Sequence, residues 1–545
     1  AVVEQYVLLE PLALQAYESS AAPIVLLPPR DDTAAKTSRP LAPEVAPGQR
    51  TLGFVRPYTP LHILMLKRVD RPIVCTSGNL SDEPQCIDNT DARDRLSSVA
   101  DWFLIHERPI HHRIDDSVVR VAAGQVRTVR RARGLAPAAI PLPAGLEKTP
   151  SVLACGGHLK ATFALTQAGA AVVSPHTGDL DHLSAFEAYV QSFELLSTLY
   201  GHQPTAVAVD AHPEYRSTRW GRALAAQRDW QIVEVQHHHA HIAATMAEHG
   251  YSNASPPVLG IALDGLGMGI DRTIWGGEFL LATYADFVRV GTFKPVPMIG
   301  GEVAAVQPWR SLLAHLRAIM SEAELNTNFG ELPVVKDLLD RATPLLEQAR
   351  ADTALSPLAS SAGRLFDAVS AAVGVCTTTQ AYEGQAAIEL EAVMSSEDLA
   401  SARVEERYPI GIPQHPELKI PYLEFRGLWS AILGDLFASV SPSRISARFH
   451  VALAEALVRV AQMVRSRKQR DYETGSHDPH GNPHRQHPFT VALGGGCFQN
   501  RVLLTLTVEG LEAAGFRVLA PSRFPANDGC IALGQAAIAA ARLTR

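Results

Sequence analysis

Cysteine is scarce. The 545 residues hold six, Cys75, Cys86, Cys155, Cys376, Cys497 and Cys530. No two are spaced as C-x-x-C, which excludes a zinc finger. So few in so long a chain argue for a reducing, cytosolic setting rather than a disulfide framework. No apolar run is long enough to span a membrane and no signal peptide is visible. Positive charge is not in excess either: Lys+Arg number 49 against 56 Asp+Glu, a net −7. That argues against general nucleic-acid binding, which runs on phosphate neutralisation. Initiator methionine is missing, so a trimmed N-terminus and an incomplete first domain are expected. Apolar residues are not lacking. At 46% apolar and 19% charged, the mixture is that of a globular protein, not a disordered or fibrous one. The length exceeds the ~250–300 residues one core supports, so two or three domains are expected.

Residues 1–140 read as short strands alternating with helices. Ala21–Pro28 and Arg71–Ser77 are compact apolar runs ending in turn residues, as buried strands do. Leu61–Arg68 reads as a helix, and Val118–Arg133 as a hairpin turning near Ala123-Gly124. Leu135–Pro150 carries four prolines, which predicts a domain boundary. The rest contains two similar openings, Ser151–Thr166 and Pro257–Leu281. Each reads as a strand, a glycine-rich turn and a second strand, the mark of duplicated α/β lobes about a cleft. Arg465–His487, with His477, His480, His484 and His487, reads as a solvated surface insertion.

The sharpest cluster is VQHHHAHI at Val235–Ile242. On a helix His237 and His241 stand at i and i+4, one above the other, close enough to share a metal. His238 and His239 would point elsewhere, toward substrate or in support of the ligands. Surface polarity is the ordinary explanation of such a pair. Two acidic residues weigh against it: Asp264 in LDGLGMG, expected on a glycine turn after a buried strand, and Asp528 in FPANDGCIALGQ, on a glycine turn leading into a C-terminal helix. Two imidazoles with two carboxylates suit Fe, Zn or Mn better than a thiolate-loving ion. Each aspartate alone could simply cap its turn.

Nucleotide-type signals are weaker one by one. LGGGCFQNRVL offers Gly494, Gly495, Gly496 and Asn500 between a strand and a helix. SAGRLFDAVSAAVG offers Gly363, and Asp367 for ribose hydroxyls. Nearer the N-terminus, Thr76, Ser77, Gly78 and Asn79 close an apolar run and could wrap an anion. Arg56, Arg130, Arg131 and Arg133 could supply it with positive charge.

The segments GFVRPYTPLH, TSGNLSDEPQ, DDSVVR and RRARGLAP resemble an ATP-binding YrdC-like domain. HLKATFALT, SPHTGDLD, VDAHPEYRSTRW, HHHAH, LDGLGMG, WGGE, QPWR, SAGRLFDAV, YEGQAA and GGGCFQNRVL resemble a carbamoyltransferase domain of the actin-like ATPase (ASKHA) fold. In this order, over nearly the whole chain, they are similar to the HypF carbamoyltransferases of nickel–iron hydrogenase maturation. The resemblance implies an α/β protein: a truncated YrdC-like domain over 1–140, then a two-lobed domain over 151–545. The lobes would be about 151–256 plus the C-terminal helix, and about 257–528.

It also implies a chemistry. Carbamoyl phosphate and ATP, with Mg on the nucleotide, would yield carbamoyl-adenylate by way of carbamate. The carbamoyl group would then pass to the C-terminal cysteine thiol of HypE, without nucleic acid or membrane. His158 and Lys160, in GGHLKAT, would stabilise charge in the transfer cleft, and none of the six cysteines is assigned a catalytic role. Two alternatives belong to other classes. O-carbamoyltransferases of small-molecule biosynthesis carry the same modules in the opposite order. A non-catalytic nucleotide switch or scaffold would need no protein-bound histidine pair. The acylphosphatase and zinc-finger regions of the family have no counterpart here, and Val306 stands where Lys or Arg is expected.

Overall fold

The computed structural model describes residues 2–30, 41–80, 83–349, 356–405, 407–473 and 489–545. His477, His480, His484 and His487 lie outside the described residues. The chain forms two compact units, Ala1–Ser255 with Pro521–Arg545, and Pro256–Ala520.

The first unit holds two sheets. One is four-stranded, in the order β2 (Leu52–Phe54), β1 (Ile24–Leu27), β3 (Val118–Ala122), β4 (Gln125–Arg130). The β3–β4 hairpin forms as the sequence predicts. Ala122 pairs with Gln125, and Ala123 and Gly124 take φ of 45° and 68°. That left-handed pair matches the twist of the flanking strands. The expected helix is present as Pro60–Val69, with Thr59 capping His62 N–H.

Arg71–Ser77 corrects the sequence reading, for it is an irregular and largely exposed segment. Its apolar content suggests a buried strand, but no described strand lies beside it to pair. Val74 is 76% exposed, and Trp102, beyond the next helix, is 92% exposed.

The second sheet runs β10 (Gln231–Val235), β9 (Ala206–Asp210), β6 (Val152–Ala154), β7 (Ala164–Gln167), β8 (Ala170–Val173), β5 (Ile140–Pro141). Its core packs Leu153, Phe163, Tyr189, Val207 and Val209 against Trp220. Two of this unit's helices are buried along their length, His237–Glu248 and the C-terminal Ile531–Leu543. Every residue of the first is buried, and so is nearly every residue of the second. They touch at Gly534, where a Cβ would sit 1.9 Å from the Ala240 carbonyl oxygen.

The second unit carries an eight-stranded sheet. Its centre is β11 (Val258–Met268), β12 (Ile274–Ala282), β13 (Phe287–Phe293), β17 (Thr490–Gly494) and β18 (Arg517–Leu519). The short strands β14 (Val296–Pro297), β15 (Leu358–Ala359) and β16 (Tyr422–Leu423) complete it. β11 lies parallel to β17 and antiparallel to β12, which is antiparallel to β13, and β18 lies parallel to β17. In the first unit β6, β7, β8, β9 and β10 repeat that scheme of two parallel neighbours and an antiparallel meander. The two glycine-turn openings of the sequence are therefore the first hairpins of two topologically equivalent lobes. One detail differs from expectation. Asp264 does not sit on a turn: it lies within β11, where the register slips between Leu263 and Gly267, and the turn comes later, at Gly269–Thr273.

Candidate functional site

The histidine helix begins where β10 ends. Gln236 caps it, its side chain accepting from His239 N–H at 2.8 Å and donating to His238 Nδ1 at 2.9 Å. The ligand-type pair comes together with one of the two aspartates. His237 Nε2 lies 3.5 Å and His241 Nε2 3.6 Å from Asp528 Oδ1. These separations exceed an ordinary hydrogen bond. They match the ~3.4 Å between two donors that share a tetrahedral ion at ~2.1 Å. His237, His241 and Asp528 each offer a ligand atom within 4.8 Å of the others, so the donor set fits a divalent metal of the Zn, Fe or Mn type.

Both histidines are gripped from behind. His237 Nδ1 meets Asp210 Oδ2 at 2.8 Å, and His241 Nδ1 meets Cys530 Sγ at 3.4 Å. Asp210 is a functional candidate the sequence reading missed. The available signal was an aspartate ending a strand: Asp210 pairs in register with Val235, two residues before His237. His238 and His239, expected to contact substrate, are wholly buried in the helix packing.

The GGHLKAT turn lies beside Asp528, for a Cβ on Gly157 would stand 3.1 Å from Asp528 Oδ2. Gln535 of the C-terminal helix clamps Gly156 through both its N–H and its carbonyl. His158 Nε2 meets Asp181 Oδ1 at 2.8 Å, and its Nδ1 accepts from Arg216 N–H at 3.2 Å. That backbone donor makes Nε2 the protonated nitrogen of the neutral ring. Tyr215 stacks on His158 with ring centres 5.2 Å apart. Lys160 takes a left-handed φ of 48°, and its N–H donates to Asp179 at 2.7 Å. Burial, and then the charges of Arg130 and Lys160, push His176 down to about 3, which places a first-domain arginine near this turn.

Three of the four arginines expected to serve an anion at Thr76–Asn79, Arg130, Arg131 and Arg133, are engaged with the protein. Arg130 pairs with Asp115 at 2.7 Å. Arg131 is buried, donates to the carbonyls of Val173, Leu135 and Ala138, and lies over Phe524. Arg133 pairs with Asp116 and covers the Tyr58 ring. At the proposed anion loop Thr76 and Ser77 are exposed, Gly78 accepts from Cys86 N–H at 2.9 Å, and Asn79 donates to Leu80 at 2.8 Å. A small cavity in the same unit is lined by His111, His112 and Arg113 on one side and His176, Thr177 and Gln191 on the other.

In the second unit three glycine-bearing segments converge. Gly496 N–H donates to Asp264 at 3.1 Å. Gly363 packs on Gly265, and Gly495, with φ 97°, packs on Leu263, so close that a side chain at either would clash with backbone. Gly494 ends β17. Asp367 is buried and paired with Arg364 at 2.7 Å; burial still outweighs the arginine and raises its pKa. Both ends of the Asn500 amide are occupied: Oδ1 accepts from Leu503 N–H and Nδ2 donates to His450. Burial raises the pKa of Cys155 and Cys497, and of Cys376 to about 11, so these stay thiols near neutrality.

Two linked modules are thus defined, a YrdC-like domain and a pair of equivalent lobes with a histidine–aspartate cluster. Family models match in that order. The Sua5/YciO/YrdC model, described as "Telomere recombination", matches residues 2–132. The "HypF Kae1-like domain" matches 147–248, and "Carbamoyltransferase, Kae1-like Domain, second subdomain" matches 260–474 and 481–535. Carbamoyltransferase HypF of Rhodobacter capsulatus is 41% identical over 98% of this chain and 65% of its own length. A HypF homolog of Cupriavidus necator is 39% identical over 74% of this chain and 94% of its own. The crystal structure of full-length HypF in a phosphate- and nucleotide-bound form aligns with TM-score 0.84 at 36% identity, over 99% of this chain and 77% of that one. The chain belongs to the HypF carbamoyltransferase family. It spans 65% of the Rhodobacter protein and 64% of HypF from Synechocystis. Among the described residues no helix is long and apolar enough to cross a membrane.

Proposed function

We propose that this chain carries the adenylating and transferring parts of an ATP-dependent carbamoyltransferase. Carbamate and ATP form carbamoyl-adenylate in the YrdC-like domain, and the carbamoyl group passes to the C-terminal cysteine of HypE for cyanide ligand synthesis. The observation that carries the reading is the His237, His241 and Asp528 cluster beside the GGHLKAT turn, in a chain of this family. Asp264 is the expected fourth ligand. A divalent metal held by these residues would supply Lewis acidity. His158, its Nε2–H passing from Asp181 to the phosphate, and Lys160 stabilise the charge that develops there as the carbamoyl carbon is attacked. The attacking thiol comes from the partner, in keeping with the burial that holds Cys155, Cys376 and Cys497 as thiols. The turns of the second unit at Gly494–Gly496, Gly363 and Asp367 hold the nucleotide during transfer, with Mg. Thr76, Ser77, Gly78 and Asn79 belong to the adenylating step. An acyl-adenylate meeting bulk water would hydrolyse, so an enclosed route is needed.

The test is incubation of the intact protein with carbamoyl phosphate, ATP and HypE, followed by mass analysis of HypE. A carbamoyl mass gain on its C-terminal cysteine is expected. No gain, with carbamoylation of a small hydroxyl compound instead, would overturn the reading.

A further inference from the structure

Asp210 has two duties in the structure. Its Oδ1 accepts from His212 N–H at 2.9 Å, which caps the turn after β9. Its Oδ2 meets His237 Nδ1 at 2.8 Å, with both side chains 1% exposed. A turn cap needs no charge, and Asn or Ser would serve. Burying a carboxylate is costly unless what it faces compensates. What it faces is the back of a ring whose front lies 3.5 Å from Asp528.

An ionised carboxylate can only accept, so Nδ1 must be the nitrogen that carries hydrogen. The Nε2 lone pair is then left on the Asp528 side, the form in which a neutral imidazole can ligate. Neighbouring rings limit rotation: Tyr215 stands edge-on at 6.4 Å and His241 at 5.0 Å. His241 is held differently, by the weaker sulfur contact with Cys530.

We propose that Asp210 is a positioning residue for the metal: it fixes the tautomer and the ring of His237. This rests on the metal site proposed above. Asp210→Asn makes the case sharply. If the amide turned its NH2 toward His237, Nδ1 would become an acceptor and Nε2 would carry the hydrogen, which cannot ligate. If it turned NH2 toward His212, two donors would face each other.

The experiment uses the full chain and Zn²⁺ or Co²⁺ alone. Metal affinity is measured by chelator competition, the Co²⁺ visible spectrum is recorded, and melting is followed with and without metal. Asp210→Asn should bind ~10–100-fold more weakly and change the Co²⁺ spectrum, and the rise in Tm on adding metal should shrink. Should that variant not fold, Asp210→Ser keeps an acceptor for His212 N–H and is expected to show the same losses. Unchanged affinity and spectrum, with Tm lowered equally with and without metal, would mean a purely structural aspartate and would overturn the inference. Should the unsubstituted chain bind no more metal than His237→Ala, the metal reading fails and this inference fails with it.

Discussion

Arg364 and Asp367 show what a single residue can decide. The pair is buried on one helix at 2.7 Å, and removing one member of a buried pair strands the other, at a cost of ~3–5 kcal/mol. Arg364→Ala should therefore destabilise the second unit by about that amount in denaturant melts. The pH dependence has a definite sign. The Asp367 carboxyl is raised in the fold because burial exceeds the help of Arg364 and Gln380. A raised value means that the folded form holds the proton more tightly than the unfolded chain. Its contribution is fullest below the ordinary carboxylate range and is lost as pH rises through the folded value. Without Arg364 that value rises further, so the variant should regain stability on acidification from neutral pH. A variant equally unstable at pH 5 and pH 8 would sink this account. His237→Ala tests the neighbouring chemistry: losing one ligand of so few should cut metal content to a small fraction after dialysis. Equal content in both proteins would remove His237 from the ligand set.

At the scale of elements, the contact of the histidine helix with the C-terminal helix sets the distance from His241 to Asp528. Gly534 permits it, because a Cβ there would meet Ala240 backbone at 1.9 Å, and backbone cannot move aside cheaply. Gly534→Ala should lower stability by ~1–3 kcal/mol and weaken metal binding as the helices part. Unchanged Tm together with unchanged affinity would mean that the helices adjust freely. Elements were also where the sequence was most and least readable. The i, i+4 spacing of His237 and His241, the Ala123-Gly124 hairpin and the paired strand–turn–strand openings are local patterns, and each formed. Asp210 was not legible, because its meaning depends on β9 lying parallel to β10, which brings it to His237, 27 residues on in the chain. Arg71–Ser77 misled for the converse reason: an apolar run makes a strand only where another strand is beside it. Asn500 and Arg131 have the residue types of ligand contacts, but their hydrogen bonds go to a helix cap and to backbone carbonyls.

For the whole molecule the central question is whether adenylation and transfer separate. They are assigned to different folds, and the histidine–aspartate cluster lies in the lobe rather than in the YrdC-like sheet. Substitution at the cluster should therefore leave the first step running. In the intact protein, His241→Ala should keep carbamate-dependent ATP–pyrophosphate exchange within ~2-fold, since substitutions with no shared partners act nearly independently. Transfer to the HypE thiol should fall at least ~10-fold, as expected when a metal ligand is lost. Ser77→Ala and Asn79→Ala should do the reverse to exchange, and transfer should then fall only for want of adenylate, recovering when synthetic carbamoyl-adenylate is supplied. The YrdC-like fold meets the lobe at β4 and the residue after it. Thr128 N–H donates to Ser522, and Arg131 covers Phe524, in the loop that leads to Asp528. Loss of exchange in His241→Ala with intact melting would show that one site performs both steps, and the division of labour would have to be abandoned.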